Sequence, residues 1–82
     1  MAFTEKAKKA ITENGGSIEG DYANWPDGTE LIESSDRGGW GNFSYREWML
    51  PNGQCVCWDN ESQEHQMAYR RNPETKAVIR SR

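Results

Sequence analysis

Hydrophobic and polar positions follow two different periods along this chain. Near the start, Phe3, Ala7, Ala10 and Ile11 recur at i, i+4, i+7 and i+8, one face of a helix, while Lys6, Lys8 and Lys9 point elsewhere. Thr4 carries the hydroxyl expected of an N-cap. Asn14-Gly15-Gly16 supplies the stop, because glycine tolerates the left-handed conformation that follows a helix C-terminus. The pattern predicts a helix over about residues 4–14. A helix this short is not stable alone and must dock its apolar stripe on something else.

The rest of the chain reads as strands and turns. Ser17 to Tyr22 is a short strand carrying Ile18 and Tyr22, and Asn24-Trp25-Pro26-Asp27-Gly28 is a turn. Thr29 to Ser34 is a second strand, with Leu31 and Ile32 as its apolar content. Ser35 to Gly41 is a glycine-rich loop around Trp40. Asn42 to Leu50 is the clearest strand, rich in aromatics.

Pro51-Asn52-Gly53-Gln54 follows and carries the Asn-Gly hairpin signal. A two-residue Asn52-Gly53 turn opposes Leu50 to Cys55, Met49 to Val56, Trp48 to Cys57 and Arg46 to Asp59. That register predicts a core face of Leu50, Cys55, Trp48 and Cys57, ending in an Arg46–Asp59 ion pair. Met49, Val56, Trp58 and Tyr45 are then expected on the other face. Glu64 to Arg70 is a further strand, with His65, Met67 and Tyr69 on one side, and Lys76 to Ser81 is the last. The expected fold is α+β, one N-terminal helix packed on a four- or five-stranded antiparallel β-meander, in a single domain over residues 1–82.

Composition tempers this picture without overturning it. Apolar residues make up 34% of the chain and mean hydropathy is -1.03, values that lean toward disorder. Four tryptophans and three tyrosines lean the other way, since each large ring buries much area. No apolar run approaches the ~18 residues of a membrane span, and the N-terminus has no apolar signal core. The expected location is therefore a reducing cytoplasm. The acceptor-like triplets Asn42-Phe43-Ser44 and Asn60-Glu61-Ser62 then carry no glycosylation meaning.

Charge is unevenly placed. Between Thr12 and Asp36 lie seven acids (Glu13, Glu19, Asp21, Asp27, Glu30, Glu33, Asp36) and no lysine or arginine. From Gln66 to Arg82 there are five bases (Arg70, Arg71, Lys76, Arg80, Arg82) against Glu74 alone. Such asymmetry either steers a partner or is neutralised between neighbouring strands.

Candidate chemistry is sparse. Cys55, Cys57 and His65 suggest a zinc set, with Asp59, Glu61 or Glu64 as a fourth ligand. Cys-x-Cys within a strand, however, sets the two Cα atoms roughly 7 Å apart, long for one ion and long for a disulfide. Both read better as small apolar packing residues. His65 has no partner in a recognisable catalytic motif, and Gly38-Gly39-Trp40-Gly41 lacks the Lys-Ser/Thr of a phosphate loop. No cofactor, metal or catalytic residue is expected.

What remains points to binding. The expectation is a small non-enzymatic protein-binding module, an inhibitor or regulator of a larger nucleic-acid-handling protein, with a phage-type anti-defence protein as one form of it. Its expected contact residues are Asp21, Trp25, Asp27, Glu30, Glu33, Asp36 and Trp40, an acidic surface plus loop aromatics. The alternative is a nucleic-acid-binding domain using the C-terminal bases and sheet aromatics such as Tyr69. An exposed edge strand would also let two copies pair as a homodimer.

Overall fold

The computed structural model describes residues 2–37 and 43–79. Trp40, most of the glycine-rich loop and the terminal Arg80 and Arg82 lie outside the described residues.

The helix forms where the pattern places it. Strand β1 (Ala2–Phe3) leads into α1 (Glu5–Glu13), and the Thr4 hydroxyl accepts the Ala7 N–H at 3.1 Å as the N-cap. Gly15, at φ +99°, ends it, and the Gly16 N–H donates to the Ile11 carbonyl at 2.9 Å. Phe3 belongs to β1 rather than to the helical stripe, yet it still joins Ala7, Ala10 and Ile11 in the core.

A small hairpin follows, β2 (Ser17–Glu19) and β3 (Tyr22–Asn24), with Gly20-Asp21 at its tip. It sits close on the end of the helix. A Cβ on Gly16 would meet the Asn24 carbonyl and lie 2.8 Å from both Ile11 Cγ2 and Pro26 Cδ. The main sheet contains β4 (Glu30–Arg37), β5 (Phe43–Met49), β6 (Cys55–Asp59) and β7 (Glu64–Met67), in the order β1-β7-β6-β5-β4. The fold is thus α+β: an N-terminal helix on a five-stranded sheet whose last four strands form an antiparallel meander. β1 pairs with β7 in parallel, which closes the sheet on that side.

The β5–β6 register departs from the sequence expectation by one residue. Met49 opposes Cys55, Trp48 opposes Val56 and Glu47 opposes Cys57. The connection is a three-residue turn over Pro51, Asn52 and Gly53, closed by the Leu50 N–H to the Gln54 carbonyl at 2.7 Å. The Gly53 N–H returns to the Leu50 carbonyl at 2.9 Å, and Gly53 itself takes φ +93°. A two-residue Asn52-Gly53 turn would need an N–H from residue 51 for the closing pair, and proline has none. A one-residue slip reverses every side chain. Val56 and Trp58 therefore lie on the helix side with Trp48, while Cys55 and Cys57 share the opposite face with Met49, Glu47 and Tyr45.

Both faces of the sheet are covered. Ala7, Ala10, Ile11, Leu50 and Val56 form the helix-side core with Phe3, and Ile18, Ala23, Trp25 and Met67 pack around it. On the other face, the segment after β7 returns across the sheet. Residues 76–79 form no strand there; a single bridge joins Arg71 to Val78. The Arg71 N–H donates to the Gly53 carbonyl at 2.9 Å, and a Cβ on Gly53 would strike the Arg71 carbonyl. Asn72 turns this strap, its Oδ1 accepting the N–H groups of Glu74 at 2.8 Å and Thr75 at 3.2 Å.

Candidate functional site

On the helix side of the sheet, aromatic rings gather at the open end beside the β2–β3 hairpin. Antiparallel pairing sets Trp58 against His65, and parallel pairing sets Phe3 against His65, so all three share a face. Trp48 joins them from β5. The Trp25 ring, delivered by the turn after β3, stacks on Trp48 with centroids 4.8 Å apart and planes 23° from parallel. Phe3 stacks on His65 at 4.1 Å and 7°. His65 is the hub, its ring centre 5.6 Å from Trp48, 6.3 Å from Trp25 and 6.5 Å from Trp58.

These rings wall a pocket of about 280 Å³, completed at its mouth by Asp21, Tyr22 and Ala23 of the hairpin. Tyr22 is 77% exposed, an aromatic standing at the rim rather than buried in the core.

The pocket carries no positive charge of its own among its lining residues at neutral pH. Burial pulls the His65 pKa below its ordinary value, so the imidazole is neutral. Its Nδ1 lies 3.3 Å from the Ala2 carbonyl, which can only accept, so the proton sits on Nδ1. Trp58 Nε1 is buried without an acceptor among the described residues. An unmet buried donor of this kind costs roughly 1–3 kcal/mol.

The opposite face holds a different cluster. Tyr45 donates its hydroxyl proton to Glu47 Oε1 at 2.7 Å, and Arg71 Nε donates to Glu47 Oε2 at 2.9 Å. Glu47 is 5% exposed. Burial, reinforced by Glu47, raises the Tyr45 phenol, and burial pushes the Cys55 thiol up to about 11. A hollow of about 360 Å³ opens here between Tyr45, Glu47, Tyr69, Arg71 and Val78. Its charges already satisfy each other, which reads as structure.

The expected contact residues divide. Asp21 and Trp25 come together at the aromatic pocket. Asp27 is exposed in the turn with Pro26 and Gly28. Glu30, Glu33 and Asp36 line β4, the outer strand of the sheet, where a register shift between Leu31 and Glu33 separates them. Glu30 and Glu33 pair with Met49 and Glu47 on one face, and Asp36 with Ser44 on the other. Glu30 is bridged by Lys76 at 3.1 Å and Asp36 by Arg46 at 3.1 Å. Arg46 thus meets Asp36 in place of the expected Asp59, which instead accepts the Glu61 and Ser62 N–H groups in its own turn. Trp40 is outside the described residues.

The zinc trio is not brought together. Cys55 and Cys57 face Glu47, whereas His65 lies through the sheet with Trp58. Among the described residues no group of three or more His, Cys, Asp or Glu side chains is placed to hold a metal ion.

The three C-terminal bases among the described residues are engaged within the chain: Arg71 with Glu47, Lys76 with Glu30, and Arg70 with the Asn52 carbonyl at 3.0 Å. Tyr69, expected on the His65 face of a strand, lies beyond the end of β7 and is exposed. No helix among the described residues is long and apolar enough to cross a membrane.

Sequence reasoning missed Phe3, Tyr22, Trp48, Trp58 and His65 as one cluster. The parity of Trp48 and Trp58 carried the signal, but only under the three-residue turn do they share a face. No protein family, curated protein or solved structure matches this chain.

Proposed function

We propose that this chain is a small non-enzymatic protein-binding module, and that the aromatic pocket with its hairpin rim is where it holds its partner. The observation that carries the reading is the pocket itself. Tryptophan, tyrosine and histidine converge on one opening, with an exposed tyrosine and a carboxylate at the mouth. Aromatic anchors of this type dominate protein interfaces. The acids of the hairpin, Glu19 and Asp21, favour a partner that presents a basic segment. Seated on the basic surface of a nucleic-acid-handling protein, such a module would act as an inhibitor or regulator. The ion pairs that occupy Arg71 and Lys76 weigh against direct nucleic-acid binding.

The test compares proteins retained from cell lysate by the full chain and by its Tyr22→Ala variant, with circular dichroism confirming that both fold. A stoichiometric partner held by the former and lost by the latter is expected. Equal retention by both would remove the pocket from the contact surface. In parallel, a mobility-shift assay at about 50 mM salt, where phosphate contacts are strong, is expected to show no complex with DNA or RNA. A shift there would replace the protein-binding reading with the nucleic-acid one.

A further inference from the structure

We infer that the aromatic pocket is a recognition site for a quaternary ammonium group, as carried by a trimethylated lysine in a basic peptide segment of a partner. This deepens the reading above and rests on the pocket being the contact surface.

Three features select the ligand. The first is the wall. Phe3, Trp25, Trp48, Trp58 and His65 line the pocket, and Tyr22 stands exposed at its mouth. Ring faces carry negative quadrupole charge and attract a cation within about 6 Å of the centroid, tryptophan most strongly.

The second is the sign of charge. Among the described residues that line the pocket, Asp21 is the one carboxylate and none is a lysine or arginine. An anionic ligand, a nucleotide phosphate included, meets no lysine or arginine among those residues, whereas a cation meets a wall of aromatic rings.

The third is hydrogen bonding. A primary ammonium brings three N–H donors and a guanidinium five, all of which lose water on entering a ring-walled site. A quaternary ammonium has no N–H to satisfy, so its desolvation is the least costly among cations. The size fits too. About 280 Å³ lies just below the roughly 300–1,000 Å³ of small-molecule sites and suits one side chain rather than a large cofactor.

A peptide is the favoured source because the acidic side chains around the mouth complement basic residues flanking the ammonium. Glu19 and Tyr22 pair directly across the hairpin, with Asp21 at its tip.

The experiment titrates the full chain with four probes, followed by tryptophan fluorescence and by the indole N–H resonances. The probes are a ten-residue Lys/Arg-flanked peptide with one trimethyllysine, the same peptide with plain lysine, the same peptide with the neutral tert-butyl isostere, and choline. The expected result is saturable binding of the trimethyllysine peptide, at least about 10-fold tighter than the lysine and isostere peptides. That corresponds to about 1.4 kcal/mol, within the range of a desolvated cation–π contact. Choline is expected to bind more weakly, at the same indole signals. Trp25→Ala should abolish binding. Because that variant also loses core packing, Tyr22→Ala, at an exposed rim position, should weaken binding severalfold in a folded protein.

Equal affinity for the neutral isostere would overturn the cation assignment and leave a plain apolar anchor site. Choline binding as tightly as the peptide would overturn the peptide source. No saturable binding of any probe up to about 5 mM, where specific affinity is negligible, would overturn the inference outright. If the Tyr22→Ala variant still loses its lysate partner while all probes fail, only the ligand class is wrong. If it keeps that partner, the contact surface is wrong.

Discussion

At the scale of single residues, the cysteines show how one register decides chemistry. Both thiols lie on the strap side of the sheet, Cys55 fully buried beneath it and Cys57 half-buried beside Tyr45 and Glu47. Burial raises both thiols above their ordinary range, and the nearby Glu47 carboxylate adds to it. The thiolate is the reactive form. At pH 8 a thiol with a pKa of about 11 is ionised to roughly one part in a thousand, against about a quarter for an unperturbed cysteine. Cys55 in the folded protein is therefore expected to react with iodoacetamide at least about 100-fold more slowly than in urea, as read by mass spectrometry. Fast native labelling would contradict its place under the strap. The packing role was legible in the sequence, because a Cys-x-Cys strand suits no single ion. The face it packs on was not, because that depended on a turn type.

At the scale of elements, the Glu47–Arg71 pair ties the C-terminal strap to the centre of the sheet. Arg71 Nη1 also donates to the Lys76 carbonyl at 2.9 Å, so one guanidinium holds both arms of the strap. Removing one partner of a buried pair strands the other charge, a loss of about 3–5 kcal/mol when burial is complete. Arg71 is partly open to solvent, so Arg71→Met is expected to cost about 2–3 kcal/mol by urea denaturation. Adding Glu47→Gln should recover most of that loss. If the double variant is no more stable than Arg71→Met alone, the pair does not anchor the strap. The outer strand β4 is an element of another kind. It lacks a pairing neighbour on its outer edge among the described residues, yet it carries Glu30, Glu33 and Asp36 and a register shift. Charge and irregularity of this sort discourage edge-to-edge pairing, and a second copy would set these acids against their own kind.

At the scale of the whole molecule, His65 links the sheet, the N-terminal strand and the pocket in one titratable group. Its neighbours are Phe3 and the Ala2 carbonyl from β1, Trp48 and Trp58 from the sheet, and Trp25 from the turn, with Asp21 at the pocket mouth. The folded pKa is lowered by burial, with a smaller push in the same direction from the positive N-terminus, while the unfolded value stays near ~6.5. Below that value the unfolded chain binds a proton that the folded chain resists. His65 therefore supports stability above about pH 6.5, and that support is lost as pH falls through its folded pKa. The midpoint of thermal unfolding is expected to drop between pH 7.5 and 5, before the carboxylates titrate near ~4. His65→Phe, which keeps a ring against Phe3, should flatten that drop. An unchanged slope would show that His65 is not the group responsible.

Local chemistry alone determined several features. The Ala7, Ala10 and Ile11 spacing, the Thr4 cap and the Gly15 stop marked α1, since helix ends depend on residues within one turn. Aromatic and β-branched runs bounded by Pro, Asn and Gly marked the meander for a similar reason: strand and turn signals are short-range. Tertiary structure decided the rest. Pro51 excludes the two-residue turn, and the resulting register sends Trp48, Val56 and Trp58 to the helix side. Parallel pairing of Ala2–Phe3 with β7 joins residues some sixty positions apart, as no local pattern announces. The Lys76–Glu30 bridge joins the acidic stretch to the basic one, and Arg71 is taken by Glu47, pairings that the order of charges along the chain does not specify. The pocket exists because one local and two long-range events coincide: the turn register at Pro51, the parallel strand and the docking of the hairpin on the end of α1. Each is settled by which faces can be buried together, and burial is a property of the folded molecule.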